Sequence, residues 1–151
     1  MPFDDNLILI DGSVSMTAAT AASFLAATST TIVAASGARV LDIRQTGVRG
    51  LAAVLVLPTP ASAGTTDYLL GFLEASDVEA FTSDVHELGK FDIAAAVKGR
   101  ILSGECPATV VMRFATDKQY IRANFTPTVG NGTANFGAVK VLISPYPFVR
   151  L

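Results

Sequence analysis

His86 is the single histidine of this chain and Cys106 its single cysteine. Those two residues bound the nucleophilic and general-base chemistry open to it. Asp84 and Glu87 flank His86; on a strand, Asp84 would share its face and Glu87 would point away. A Ser-His-Asp site would also need a serine delivered by the fold and an oxyanion hole. No Gly-x-Ser-x-Gly elbow is present, so His86 reads as an ordinary strand histidine. Cys106 precedes Pro107 in "SGECPA" and reads as a small apolar residue at a strand entrance. Alone, it makes no internal disulfide. One His and one Cys without clustered carboxylates do not make a zinc site. Glu74, Asp77 and Glu79 in "EASDVE" lack the ligand order and glycine of an EF-hand loop; a loose calcium contact is the alternative there. The expectation is a chain with no catalytic residues, no metal, no cofactor and no enzymatic activity.

The remaining motifs point the same way. "GNG" at 130–132 and "GVRG" at 47–50 are glycine turns, since neither opens a helix after a strand with a following lysine. "NFT" and "NGT" match the glycosylation sequon, but two acids precede the first apolar run in "MPFDDNLILIDGS", where a signal peptide carries basic residues. The chain has no Trp and 8% aromatic residues, which weakens a lectin reading. With a net charge of −2 and no run of Lys or Arg, it shows no electrostatic footprint for nucleic acid or an anionic membrane. No residue between Asp11 and Arg39 is charged, yet that segment is mainly Ala, Thr and Ser, which insert poorly. Apolar residues make up 50% of the chain and charged ones 16%, against about 25% in ordinary globular domains. A soluble surface so poor in charge suggests a partner that covers part of it.

The elements that would position these side chains are strands. In "KQYIRANFT", Ile121, Ala123 and Phe125 fall on one face and Tyr120, Arg122 and Asn124 on the other. In "AVKVLIS", Val139, Val141 and Ile143 oppose Lys140 and Ser144, and in "ATVVMRF" Val110, Met112 and Phe114 share a face. The loop between the first two carries Gly130, Asn131, Gly132 and Asn135, so they read as a long-looped hairpin or as neighbouring strands. "GLAAVLVLP" is a continuous apolar run of strand length ended by Pro58 and Pro60, expected to be buried on both faces. "TTIVAAS", "DYLLGFLEAS" and "AFTSDVHEL" read as further strands, the last two separated by the turn "SDVE". "ATDK" is a turn. "FDIAAAVKGR" is expected to form at most two helical turns, capped by Asp92 and ended by Gly99. About eight strands with little helix and no repeat, in 151 residues, predict one all-β domain over 1–151, a jelly-roll-like antiparallel β-sandwich with extended N- and C-terminal segments.

Ser76-Asp77 with Phe81, then Ile93 to Gly99, then Tyr120-Ile121-Arg122-Ala123-Asn124-Phe125, then Ala138 to Ile143, follow one another in an order that resembles the jelly-roll cement proteins of short-tailed phages, of the Bordetella podophage type. The likeness spans roughly residues 66–144 and rests on strand patterns and turns. The first half of the chain is only loosely similar, and "PYPFVRL" is an added tail. The resemblance implies a virion protein, made in the host cytoplasm and bound to the outer surface of an icosahedral head. There it would bridge major capsid protein subunits as a homodimer or homotrimer and stabilise the mature shell. The alternative of another class is a receptor- or glycan-binding β-sandwich module of a virion.

The two ends are apolar where free termini are usually polar. Leu7, Ile8, Leu9 and Ile10 stand in a row; Tyr146, Phe148, Val149 and Leu151 follow Pro145 and are interleaved with Pro147. Both are candidate oligomer or capsid contacts. Self-docking of Leu7–Ile10 as the first strand is the competing expectation, and the tail is expected to add to a sheet edge of a neighbour.

Overall fold

The computed structural model describes residues 7–17, 30–31, 37–43, 51–57, 68–95, 108–128 and 135–145. They form eight strands: β1 (Ile8–Asp11), β2 (Leu41–Asp42), β3 (Leu51–Leu57), β4 (Tyr68–Ser76), β5 (His86–Ala95), β6 (Ala108–Phe114), β7 (Tyr120–Thr128) and β8 (Lys140–Pro145). One sheet has the order β1-β8-β3-β6 and the other β2-β7-β4-β5, with every pairing antiparallel. Sequential strands alternate between sheets, except that β4 and β5 pair within one, which is the double Greek-key order of a jelly roll. The expected all-β sandwich of eight strands is the fold.

Period two decides which side chains meet between the sheets. Leu51, Ala53 and Leu55 of β3, Val141 and Ile143 of β8, Leu69, Leu73 and Ala75 of β4, and Ile121, Ala123 and Phe125 of β7 are all buried in one core. Phe91 of β5 stacks on Phe125 with ring centroids 6.5 Å apart. Gly71 makes room for that pair, because a Cβ there would run into the Phe125 ring. Phe136, fully buried, is held before β8 by backbone bonds in both directions: its N–H donates to the Met16 carbonyl, and Met16 N–H to that of Gly137.

Leu9 and Ile10 are adjacent and yet both buried. The register explains it: Ile8 pairs with Leu142 and Ile10 with Val141, so Leu9 is the extra residue of a bulge. The competing expectation of a first strand at Leu7–Ile10 thus describes this chain's own packing.

Three expectations need correction. β7 and β8 are neither a hairpin nor neighbours; they lie in opposite sheets. Alternation reports one buried face per strand and is the same whether the partner lies beside it or across the core. The segment from Phe91 to Ala95 is strand, not helix: Tyr68 to Leu70 of β4 pair with Ala95 to Asp92. A two-turn Ala-rich helix has too little intrinsic stability to compete with an inter-strand ladder. Finally, "AFTSDVHEL" is strand only from His86; residues 77–85 form a loop. The segment read as a strand in "TTIVAAS", Cys106, both glycine turns and the tail from Tyr146 fall largely or wholly outside the described residues.

Candidate interaction surfaces

β1-β8-β3-β6 presents an aliphatic band on its outer face. Opposed residues on antiparallel strands share a face, and the register aligns Ile8, Leu142, Val54 and Val111 in one row across all four strands. In the flanking rows Val56 lies between Lys140 and Thr109, and Ala52 between Ser144 and Arg113. Val111 is 56% exposed, and Ile8, Val54, Val56 and Leu142 are half-buried. "GLAAVLVLP" is therefore not fully buried on both faces: Leu51, Ala53 and Leu55 enter the core, while Val54 and Val56 support this outer band.

The outer face of the second sheet is built differently. Glu74 of β4 accepts a bond from Arg122 Nε at 2.8 Å and another from Asn124 Nδ2 at 2.9 Å. Only 13% of the Arg122 side chain and 14% of the Glu74 side chain remain exposed. The Arg122 guanidinium packs on the ring of Phe81, buried on the 77–85 loop, at 4.4 Å from its centroid. Lys90 sits over Phe72 on the same face. Asn124 Oδ1 is buried and takes no bond from the described residues.

The loop is held by a dense polar clasp. Ser76 Oγ donates to the Ser83 carbonyl and accepts from Val78 N–H. Phe81 and Asp84 both have positive φ, at 51° and 56°, a conformation that non-glycine residues hold only when surrounding contacts impose it. Those contacts come from the segment before β7. Lys118 Nζ reaches Asp77 at 3.0 Å and Asp84 at 2.5 Å, and Gln119 N–H donates to Asp77 at 3.1 Å. Gln119 Nε2 donates to Asp42 of β2. His86 Nε2 lies 2.8 Å from Asp84. The Lys118 ammonium, and after it His86, hold the Asp84 carboxyl down to about 2. Lys118 and Gln119 N–H likewise lower Asp77, and Lys118 is raised in return by its two carboxylates.

These bonds place the residues singled out from chemistry. Asp84 and His86 do touch, but through a loop turn rather than a shared strand face, and Asp84 is also bound by Lys118. Asp77 is paired with Lys118, Glu74 with Arg122, and Glu79 accepts from Thr30 N–H at 3.3 Å, so the acids of "EASDVE" have separate partners rather than converging on one point. Among the described residues, no three His, Cys, Asp or Glu side chains are placed to hold a metal, and no helix is long and apolar enough to cross a membrane.

Of the candidate contacts at the N-terminus, Leu9 and Ile10 are enclosed by this chain's own core, whereas Leu7 and Ile8 keep partial exposure. Tyr146, Phe148, Val149 and Leu151 lie outside the described residues. The residues missed from sequence are Val54, Val111 and Leu142: each looked like ordinary strand filling, and only the register joins them into a band. No protein-family model matches the chain, and no curated protein matches it.

Proposed function

We propose that this chain is a structural virion protein of the cement type, which binds the outer surface of an icosahedral phage head and bridges major capsid protein subunits. The observation that carries the reading is the aliphatic row Ile8, Leu142, Val54 and Val111 aligned on the outer face of one sheet, with Val111 56% exposed. A flat face of short, stiff side chains offers apolar area to a partner at little cost in side-chain entropy. The mechanism is mass action: a protein that binds the mature shell better than the disrupted one stabilises the former. Repetition over a symmetric shell then adds weak contacts together. The work assigned to the chain is binding, with no catalytic step, cofactor or nucleic acid. Tyr146, Phe148, Val149 and Leu151 would extend the attachment beyond Pro145.

The test is to purify heads from cells expressing the tagged chain together with the phage whose genome encodes it, then quantify bound chain by mass spectrometry. Wild-type chain should co-purify in constant proportion to the major capsid protein. Val54→Lys, once shown by circular dichroism to be folded, should be largely lost from the heads. Heads without the chain, or with equal amounts of the variant, would overturn the reading.

A further inference from the structure

We infer that the free edge of β6 pairs with β6 of a second copy, antiparallel about a two-fold axis through Val111, joining two four-stranded sheets into one of eight strands. This does not rest on the capsid reading; it follows from how the four sheet edges are finished.

An open strand edge offers unpaired N–H and C=O groups to any other chain, and folded proteins blunt such edges. Three of the four edges here are blunted. β1 is covered by the segment beside it: Asp11 N–H donates to Gly37, Arg39 N–H to Leu9, and Arg39 Nε to the Ile8 carbonyl at 2.6 Å. β2 has two residues. β5 is bent by two bulges, its register with β4 slipping between Leu69 and Leu70 and between Leu73 and Glu74, and it carries exposed Glu87 and Lys90. β6 carries one exposed charge, Arg113, and none of the other devices. It pairs with β3 in unbroken register along all seven residues, contains neither Gly nor Pro, and has no strand on its other side among the described residues. Its inward face is anchored, with Met112 lying where a Cβ on Gly89 would go, so the strand is held straight at the border of the sandwich.

The sequence of β6 is suited to meet itself. A two-fold axis normal to the sheet keeps outward residues outward, so residues of equal parity must be opposed. The register centred on Val111 is the one that uses the whole strand: Ala108 faces Phe114 of the second copy, Thr109 faces Arg113, Val110 faces Met112, and Val111 faces Val111. The one charge on the strand, Arg113, then lies opposite a threonine, whereas a register two residues further along would bring it to Val111 and four further would oppose the two arginines. Like charges directly opposed are destabilising. The aliphatic row runs unbroken through the axis, from Ile8 of one copy to Ile8 of the other. Such an isologous contact closes on itself as a dimer and leaves no edge to propagate.

The test uses the full chain. Sedimentation velocity over a concentration series should show a monomer–dimer equilibrium for wild type. Val111→Lys places two ammonium groups across the axis. It should raise the dimer dissociation constant roughly a hundredfold or more, and circular dichroism should remain unchanged because the site is exposed. In a Cys106→Ser background, Val111→Cys treated with oxidised glutathione should form a disulfide-linked dimer, since opposed strand Cα atoms lie within bridging distance; Thr126→Cys, exposed on the other sheet, should not. A chain that stays monomeric at all concentrations overturns the proposal. So does a dimer indifferent to Val111→Lys. A dimer abolished by removing residues 146–151 but untouched by Val111→Lys assigns the contact to the tail and overturns it as well. Because no capsid is present, failure here leaves head binding untouched, and loss of head binding leaves this equilibrium untouched.

Discussion

The two outer faces of this sandwich solve the same problem in opposite ways. Each sheet buries one face in the common core and must do something with the other. The β2-β7-β4-β5 sheet satisfies part of its outer face with its own chain: Glu74 pairs with Arg122, the guanidinium packs on Phe81 of the 77–85 loop, and Lys118 clamps that loop. The β1-β8-β3-β6 sheet aligns an aliphatic band on its outer face, with Val111 56% exposed and Ile8, Val54 and Leu142 half-buried. A face that is covered and satisfied internally contributes to the stability of the subunit. A face that is left apolar and open is available to a partner. Substitutions on the first should therefore alter folding, and substitutions on the second should alter association.

The largest effect should come from Glu74→Ala. It leaves the Arg122 guanidinium and the Asn124 amide short of an acceptor in a largely dry setting, which costs about 1–3 kcal/mol. Denaturant melts should show this as a lower midpoint with unchanged slope, and Glu74→Gln should recover part of the loss. If Glu74→Ala melts like wild type, the second face is no more committed than the first, and the contrast fails.

Acid titration probes the clasp. Asp84 has its pKa lowered from 3.8 to about 2. A group whose folded pKa is depressed contributes stability that is present above its unfolded value and is lost as pH falls through its folded value. Lys118→Met removes the first cause of that shift. The melting temperatures of the variant and wild type should differ above about pH 4 and converge as the pH approaches about 2. A constant difference across that window would show that Lys118 acts by packing alone.

The smallest effect belongs to the open face. Val111→Thr, measured at a dilution where the chain is monomeric, should change stability by less than about 0.5 kcal/mol, as for an exposed position away from special features. A loss well above that would mean that another part of this chain covers Val111, and would remove the distinction between the faces.

The strand-by-strand reading of burial came directly from residue order. Val110, Met112 and Phe114 face inward, as do Ile121, Ala123 and Phe125, and Val139, Val141 and Ile143; their polar partners face outward. Alternation is a property of a single extended segment with one wet and one dry side, so it is visible without knowing any partner. The all-β sandwich was also legible, from a count of about eight short strand-like segments spaced by turns with little helix. Where local pattern was weak, it misled: Phe91 to Ala95 looked helical until β4 was seen beside it.

The rest was decided only by tertiary structure, for one physical reason: each missing feature depends on contacts between residues far apart in the chain. Which strand sits beside which is chosen by packing over long separations, so β7 and β8 could not be assigned to opposite sheets from their own residues. Phe81 and Asp84 take left-handed backbone because Lys118, Arg122 and Ser76 hold the loop there, and nothing in "VEAFTSDV" announces it. Ile8, Val54, Val111 and Leu142 are scattered over four segments and become one band through register alone. The blunting of three edges, and β6 having no second partner strand among the described residues, are likewise written in pairing, in Arg39 reaching Ile8 and in the bulges of β5, rather than in any stretch of sequence. Residue order by itself determined what each strand buries; the fold determined what the assembled surface leaves free to bind.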